Sequence, residues 1–275
     1  QYFPMLCNME NAVKNGELFY SFSGALGFNL WAQNAYYTNS PLWLLVYLLP
    51  DSMKISGINI LVAMKIGLCA VFFCLYLIST VQRKRKSDYK FIFPAFSCAW
   101  ALSAYILAFI NQLMWLDVIM LFPVVIMGLE RLIKTGKVSL YILTLFLSIW
   151  SCFYLGYMVC IFVCLYFLYQ VFVQRLTFSH IIKKGLIFTF ASLIAAGMSA
   201  VVLVPVYKAL GNTAASDATF TSLQIINTIP EFILQLLPLR EISLEYGAPN
   251  LYCTVTAAVL SVCFFFNKRI SKRTR

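Results

Sequence analysis

The sequence predicts an all-α protein: a polytopic bundle of transmembrane helices, about seven spans, with short helices along its outer face. Three observations predict it. Of 275 residues, 61% are hydrophobic and 11% charged, and the mean hydropathy is +0.82. A water-facing domain carries about 45–50% apolar and about 25% charged residues, so this much apolar side chain needs a bilayer as its solvent. Seven apolar runs stand out, near 57–80, 91–111, 116–130, 139–152, 154–173, 185–207 and 250–267. The basic residues, finally, gather mostly on one side of the bundle those runs define. Disordered, collagen-like and nucleic-acid-binding classes fall at the composition step. Beginning at Gln1 with no secretory signal, the sequence reads as a segment of a longer or processed chain.

Taken in order, residues 4–15 form a short helix at the outer membrane surface. Pro4 suits a first turn and Gly16 the position after the last. Met5, Met9, Ala12 and Val13 share one face, which is expected to lie flat on the bilayer. Residues 18–39 are aromatic, Gly-containing and uncharged, without the periodicity of a span. Non-helical backbone at that depth has to be buried in protein or line a wet cavity. Ser40-Pro41 then reads as an N-cap with proline at the first helical position, opening a helix over 41–49. Residues 1–56 together form the outer juxtamembrane segment, and 57–275 the bundle with its outer loop 208–249.

The runs near 116–130 and 139–152 reach the roughly 20 residues of a span only with their flanks. Orientation follows from the loops. Arg83, Lys84, Arg85, Lys86 and Lys90 lie in one, Arg131, Lys134 and Lys137 in the next, and Arg175, Lys183 and Lys184 in a third. Lys268, Arg269, Lys272, Arg273 and Arg275 lie in the tail. Sixteen of the 21 basic residues thus fall on one side when seven spans are drawn, and that side is the cytoplasm. This topology accounts for the net charge of +11. Glu130 and Arg131 belong to the same topogenic group. The opposite side carries the long segments and most of the acidic residues, so function is expected there. In the later outer segment, Thr228-Ile-Pro-Glu231 fits a capping box. It opens a helix over about 229–237 that either packs on the bundle or covers a cleft, with Arg240 at its end.

Two ionisable residues sit within apolar runs. Lys65 costs about 2.5–3.5 kcal/mol at a helix centre unless it snorkels. It either reaches the outer headgroups or meets an anion inside the bundle, a lipid phosphate being the anion most available. Asp117, in Asn111-Gln-Leu-Met-Trp-Leu-Asp117, is placed at the outer mouth. It is either a helix N-terminal carboxylate favoured by the dipole or a catalytic or acceptor-orienting group. No nucleotide, zinc-protease or nucleophile-elbow motif is present. His180 stands without a second histidine, and cysteines inside apolar runs act as small hydrophobes. Cys7 and Cys253 fall near a membrane surface, but spacing fixes no connectivity.

Four stretches resemble a known family. They are GELFYSFSGALGFNLWAQNAYYTNSPLWLL (16–45), MWLDVIMLFPVVIMGLERLIKTGK (114–137), FYLGYMVCIFVCLYF (153–167) and YGAPNLYC (246–253). They are similar, in matching order, to the bacterial YfhO-type membrane proteins, which in turn resemble the GT-C glycosyltransferases. The resemblance implies a multi-span enzyme in the cell membrane working on its outer face. It implies a polyprenyl-phosphate-linked sugar donor and a cell-envelope acceptor such as teichoic acid, with membrane lipid as a partner and no nucleic acid. The main acidic residue of that pattern lies upstream of Gln1. The segment therefore lacks the first span and the presumed base, and whether it is active by itself stays open. A divalent cation is compatible with the sequence but not required by it.

Under this resemblance Lys65 neutralises the leaving phosphate and Asp117 orients the acceptor or assists as a catalytic group. Trp31, Tyr36, Tyr37 and Trp115 stack on sugar faces, or form a plain interfacial belt. Gln33, Asn34 and Asn39 bind hydroxyls. Arg240, at the end of the helix that could cover the cleft, is a further candidate for substrate binding. Two readings from other classes stand beside it. A lipid or sugar transporter or flippase would show broken helices and repeat symmetry. A non-catalytic membrane subunit would present a lipid to a partner.

Overall fold

The computed structural model describes residues 2–17, 19–22, 27–81, 91–175, 177–211, 228–237 and 249–268. Arg240 and the whole basic loop 82–90 lie outside them, while the helix expected over 229–237 is described and ends at Leu234. Helices run in the order α1 Tyr2–Asn15, α2 Leu30–Tyr37, a 3₁₀ turn Pro41–Trp43, α3 Leu44–Tyr47, α4 Asp51–Thr80, α5 Ile92–Ala101 and α6 Ala104–Ala108. Then follow α7 Leu113–Thr135, α8 Ser139–Ser151, α9 Phe153–Gln174, α10 Phe178–Met198, α11 Ala200–Leu210, α12 Ile229–Leu234 and α13 Val255–Phe266. One isolated antiparallel bridge joins Ser21 and Phe28.

The centre of the bundle is α7. It is apolar nearly all round, and a helix of that kind belongs inside. In its apolar stretch 78% of the residues are buried, against 11% in α10. Its neighbours α4, α8, α9 and α10 pack around it and turn their remaining apolar side chains outward. Leu165, Phe172, Phe190 and Leu193 are among the exposed ones, as expected where the solvent is lipid. Helix backbones meet closely at two glycines. A Cβ on Gly128 would lie 2.8 Å from the Tyr141 backbone, and one on Gly156 would lie 2.7 Å from the Ile149 Cα. Small residues let helix backbones meet without a side chain between them. Helix α7 stops at Gly136, whose φ of +75° suits only a residue without Cβ strain.

Among the described residues, four helices are long and apolar enough to cross a membrane: α4, α7, α9 and α10. Four expected runs fold differently: 139–152 gives only the 13-residue α8, and the other three are broken or shortened. The run 91–111 breaks at Leu102–Ser103 into α5 and α6. The amide of Ala104 donates to the Tyr252 carbonyl at 2.7 Å, so the non-helical strand before α13 satisfies a donor near the break. The run 185–207 breaks at Ser199, whose hydroxyl donates to the Ala195 carbonyl at 3.0 Å in competition with the helix. The run 250–267 is helical only over α13, because 250–254 serves that pairing.

The segment 1–56, expected on the outer face, also departs from expectation. Helix α1 buries Tyr2, Leu6 and Ala12 against protein and exposes Val13. Tyr2 Oη donates to Met114 Sδ at 2.9 Å and accepts from the Leu113 amide at 3.1 Å. The helix is therefore docked on the start of α7 by its Tyr2–Leu6 side, and the face expected to lie on the bilayer is divided, with Ala12 buried and Met9 meeting Asn34 while Val13 is exposed. Residues 18–39 contain a helix after all, since Asn29 caps α2 by accepting from the Ala32 amide at 3.0 Å. Ser40 does cap the next element, accepting from the Leu42 amide at 3.2 Å. That element opens as a 3₁₀ turn and ends at Tyr47. The capping box at Thr228–Glu231 forms, with the Thr228 amide donating to Glu231 Oε2 at 2.7 Å.

Candidate functional site

Helix α2 separates two clefts at the end of the bundle that carries α1. Its 3.6-residue period divides its polar side chains. Asn34, with Thr38 one turn on, faces one cleft, while Gln33, Tyr36 and Tyr37 face the other. Thr38 Oγ1 donates to Asn34 Oδ1 at 2.7 Å, which fixes the first pair.

The first cleft has a volume of about 600 Å³. Glu10, Val13 and Lys14 of α1 form one wall, Asn34 and Thr38 another, and Asn39, Ser40, Leu44 and Tyr47 the floor, with Trp150 of α8 behind. Asn39 Nδ2 donates to the Trp150 carbonyl at 2.8 Å, tying the floor to α8. Four charges meet beside it. Lys54, only 2% exposed, donates to Glu10 Oε2 and lies 2.6 Å from Asp51 Oδ1. Lys14 holds the other Glu10 oxygen at 3.1 Å from one helical turn away. Bonds from Lys54 and Lys14 keep the Glu10 carboxyl below its ordinary range, and burial pushes the Tyr47 phenol up to about 12. Neither Glu10 nor Lys54 stands out in the sequence as a site residue. The i,i+4 spacing of Glu10 and Lys14 was the available signal. Lys54 is too far along the chain to be paired with Glu10 by pattern.

The second cleft, about 650 Å³, is lined by Gln33, Tyr36, Tyr37, Phe153 and Tyr154 with Val206 and Leu210 of α11. Tyr36 packs edge-on to Tyr37 with centroids 4.7 Å apart, and lies 5.6 Å from Phe153. Trp31 does not line it. Its indole donates to the Val201 carbonyl at 3.2 Å, just past the helix break at Ser199. Trp115 lines neither cleft and packs on Phe109 with centroids 4.9 Å apart.

Lys65 and Asp117 lie beneath the first cleft. Lys65 is 0% and Asp117 1% exposed. The ammonium donates to Asp117 Oδ2 at 2.7 Å and to the Leu113 carbonyl at 3.0 Å, and sits 5.4 Å from the Trp43 ring centroid. Ser40 Oγ donates to Asp117 Oδ1 at 2.9 Å. The anion that Lys65 meets is thus a carboxylate of α7, not a phosphate, and Lys65 does not snorkel. Asp117 is not at a mouth: it is one turn into α7, under the 3₁₀ turn. Each charge is compensated by the other, as burial requires.

A second buried carboxylate lies at the far end of α7. Glu130, read from the sequence as topogenic, is 5% exposed. It accepts from Tyr166 Oη at 2.8 Å and Lys134 at 3.0 Å, and more loosely from Tyr76 and Thr80 at 3.4 Å. Four side chains from α4, α7 and α9 converge on it. An apolar cavity of about 490 Å³ lies between α5, α7 and α9, closed by residues 250–253. Among the described residues, no three His, Cys, Asp or Glu side chains come together to hold a metal ion.

A bundle with four span-length apolar helices among the described residues, one of them buried in the centre, defines a polytopic helical membrane protein. The family model described as "Bacterial membrane protein YfhO" matches residues 1–275, the whole chain. The chain belongs to the YfhO family and is a membrane protein. Neither the curated proteins nor the solved structures contain a match to it.

Proposed function

We propose that this protein is a GT-C-type glycosyltransferase. In this reading it transfers a sugar from a polyprenyl-phosphate donor to a cell-envelope acceptor, such as teichoic acid, at the outer face of the membrane. The observation that carries the reading is the cleft edged by Gln33, Tyr36 and Tyr37. Aromatic faces beside an amide suit a sugar ring, which presents C–H groups to one side and hydroxyls at its rim. Gln33 binds hydroxyls there, and Tyr36 and Tyr37 form the platform. Asn34 and Asn39 serve the neighbouring cleft.

The reaction breaks the bond between the anomeric carbon and the phosphate oxygen. The acceptor hydroxyl attacks that carbon, the polyprenyl phosphate leaves, and the acceptor proton passes to a base. The resemblance puts that base upstream of Gln1. Glu10 is a weak proton acceptor, because two lysines stabilise its charged form. Asp117 has no open route to substrate and is assigned an orienting role: through Ser40 it fixes the 3₁₀ turn under the first cleft. Lys65 holds Asp117 in turn, so its ammonium is already matched by a carboxylate.

The test uses full-length protein in liposomes, a radiolabelled polyprenyl-phosphate sugar and a teichoic-acid acceptor. Labelled polymer is the expected product. Gln33→Ala should slow transfer by about tenfold, the scale of one or two lost hydrogen bonds, and Tyr36→Ala should do the same while Tyr36→Phe does not. Absence of transfer to any envelope polymer, or wild-type rates in both alanine variants, would reject the reading. A transporter or flippase remains the second reading, favoured by the helix breaks at Leu102–Ser103 and Ser199. Translocation of a fluorescent lipid-linked sugar across protein-containing vesicles, without its consumption, would select it.

A further inference from the structure

The four charges beside the first cleft cancel, and that limits what can enter. Lys54 is committed to Glu10 and Asp51 and is almost completely buried. The Lys14–Glu10 pair is the exchangeable one, since its lysine side chain is 67% exposed and its carboxylate lines the cleft. A bare anion entering here would gain Lys14 but leave Glu10 with one fewer cation and face its charge. A bare cation would expel Lys14. A ligand carrying both signs replaces one ion pair with two and leaves the local balance at zero.

The surroundings indicate where such a ligand comes from. Val13 and Leu44 line the same cleft and are 57% and 65% exposed, and Leu48 follows at 83%. Aliphatic side chains this exposed on a membrane protein are in contact with lipid. Tyr47 and Trp150 flank the cleft, and such rings favour headgroup depth. The cleft therefore opens toward a membrane interface, with a charged floor and an apolar lip.

We propose that this cleft seats the headgroup of a zwitterionic, amine-bearing phospholipid, its ammonium on Glu10 and its phosphate on Lys14. The ammonium takes the Glu10 oxygen that Lys14 now holds, the Lys14 side chain swings onto the phosphate, and the acyl chains pass over Val13 and Leu44. Lys54 stays on the other Glu10 oxygen and keeps the carboxylate ionised. Asn34, Thr38 and Asn39 offer bonds to the remaining phosphate and glycerol oxygens. The assignment is independent of glycosyl transfer and holds equally for a transporter.

The test uses the full chain reconstituted in vesicles of equal parts phosphatidylethanolamine and phosphatidylglycerol. Lipids retained on the released protein are identified by native mass spectrometry. Phosphatidylethanolamine should be retained in preference. Lys14→Met, a change on an exposed side chain, should lower that preference by about tenfold, the scale of one charge-assisted hydrogen bond, and Lys14→Arg should restore part of it. Glu10→Gln should abolish it, while Lys137→Met at the far end should not change it. Calorimetry with glycerophosphoethanolamine separates the sources. Lipid retention identifies a lipid ligand, and saturable binding of the soluble headgroup without lipid retention identifies a soluble zwitterion of the same chemistry. Equal retention of both lipids with no binding of the soluble headgroup, or an unchanged preference in Lys14→Met and Glu10→Gln, overturns the proposal.

Discussion

Lys65 Nζ lies 2.7 Å from Asp117 Oδ2, with both residues out of contact with solvent. The pair joins the middle of α4 to the start of α7 and, through Ser40, reaches the floor of the cleft above. Its members are 52 residues apart. Each explains the other's burial, since a lone charge here would go uncompensated.

Breaking this pair should destabilise the protein. Lys65→Met or Asp117→Leu alone leaves one buried charge and should cost about 3–5 kcal/mol. The double variant, apolar on both sides, should be near neutral or more stable than either single one. Thermal unfolding in detergent, read as a double-mutant cycle, measures this. Additive losses in the double variant would mean that the two side chains do not interact.

Gly128 meets the Tyr141 backbone without a side chain between. Gly128→Ala should therefore force α7 and α8 apart and cost about 1–3 kcal/mol. Gly67 has nothing within 4 Å of an added Cβ, so Gly67→Ala should be neutral or slightly stabilising through helix propensity. Equal effects of the two substitutions, measured by denaturation in mixed micelles, would contradict the close crossing.

Removing the Tyr166 hydroxyl takes the shortest bond from Glu130. Tyr166→Phe should cost about 1.5–3 kcal/mol, as for a hydrogen bond to a buried charged group. Tyr76→Phe, whose contact is 3.4 Å, should cost less. A reversed order in chemical denaturation would show that Tyr76 is the principal donor.

The docking of α1 should weaken in acid. The Glu10 carboxyl titrates below its ordinary value of 4.5 because Lys54 and Lys14 bond its charged form. A depressed carboxyl pKa contributes stability that is present above the unfolded value and is lost as pH falls through the folded one. Protection of the α1 amides, taken relative to their intrinsic exchange rate at each pH, should fall below about pH 4.5, and Glu10→Gln should show lower protection at neutral pH with that acid limb flattened. An unaltered acid limb in the variant would assign it to another group.

The positive-inside assignment has a direct check. Cysteine introduced at Lys137, in the α7–α8 connection, should be shielded from an impermeant thiol reagent in intact cells, and cysteine at Glu17 should react, each scored above the native-cysteine background. Both positions are exposed on the protein. The opposite pattern would invert the topology.

The sequence by itself determined the solvent, the helical class, the family and most helix positions. Those properties follow from quantities local in the chain: apolar content over some 20 residues, caps such as Ser40 and Thr228, and the glycine that ends α7. Tertiary structure decided which of the charges face each other. Lys65 and Asp117 were legible as anomalous residues, but not as partners, because pairing across 52 positions depends on how α4 crosses α7. The same reason hid Lys54–Glu10 and made Glu130 look topogenic. It also decided the division of the candidate site. Gln33, Asn34, Tyr36 and Tyr37 are neighbours in sequence, yet the turn of α2 sends Asn34 to a charged cleft and the others to an aromatic one. The break between α5 and α6 lies inside an apolar run with no Gly or Pro at the break. It is met by an acceptor far along the chain, Tyr252 for the Ala104 amide, and only the folded bundle brings that carbonyl within reach.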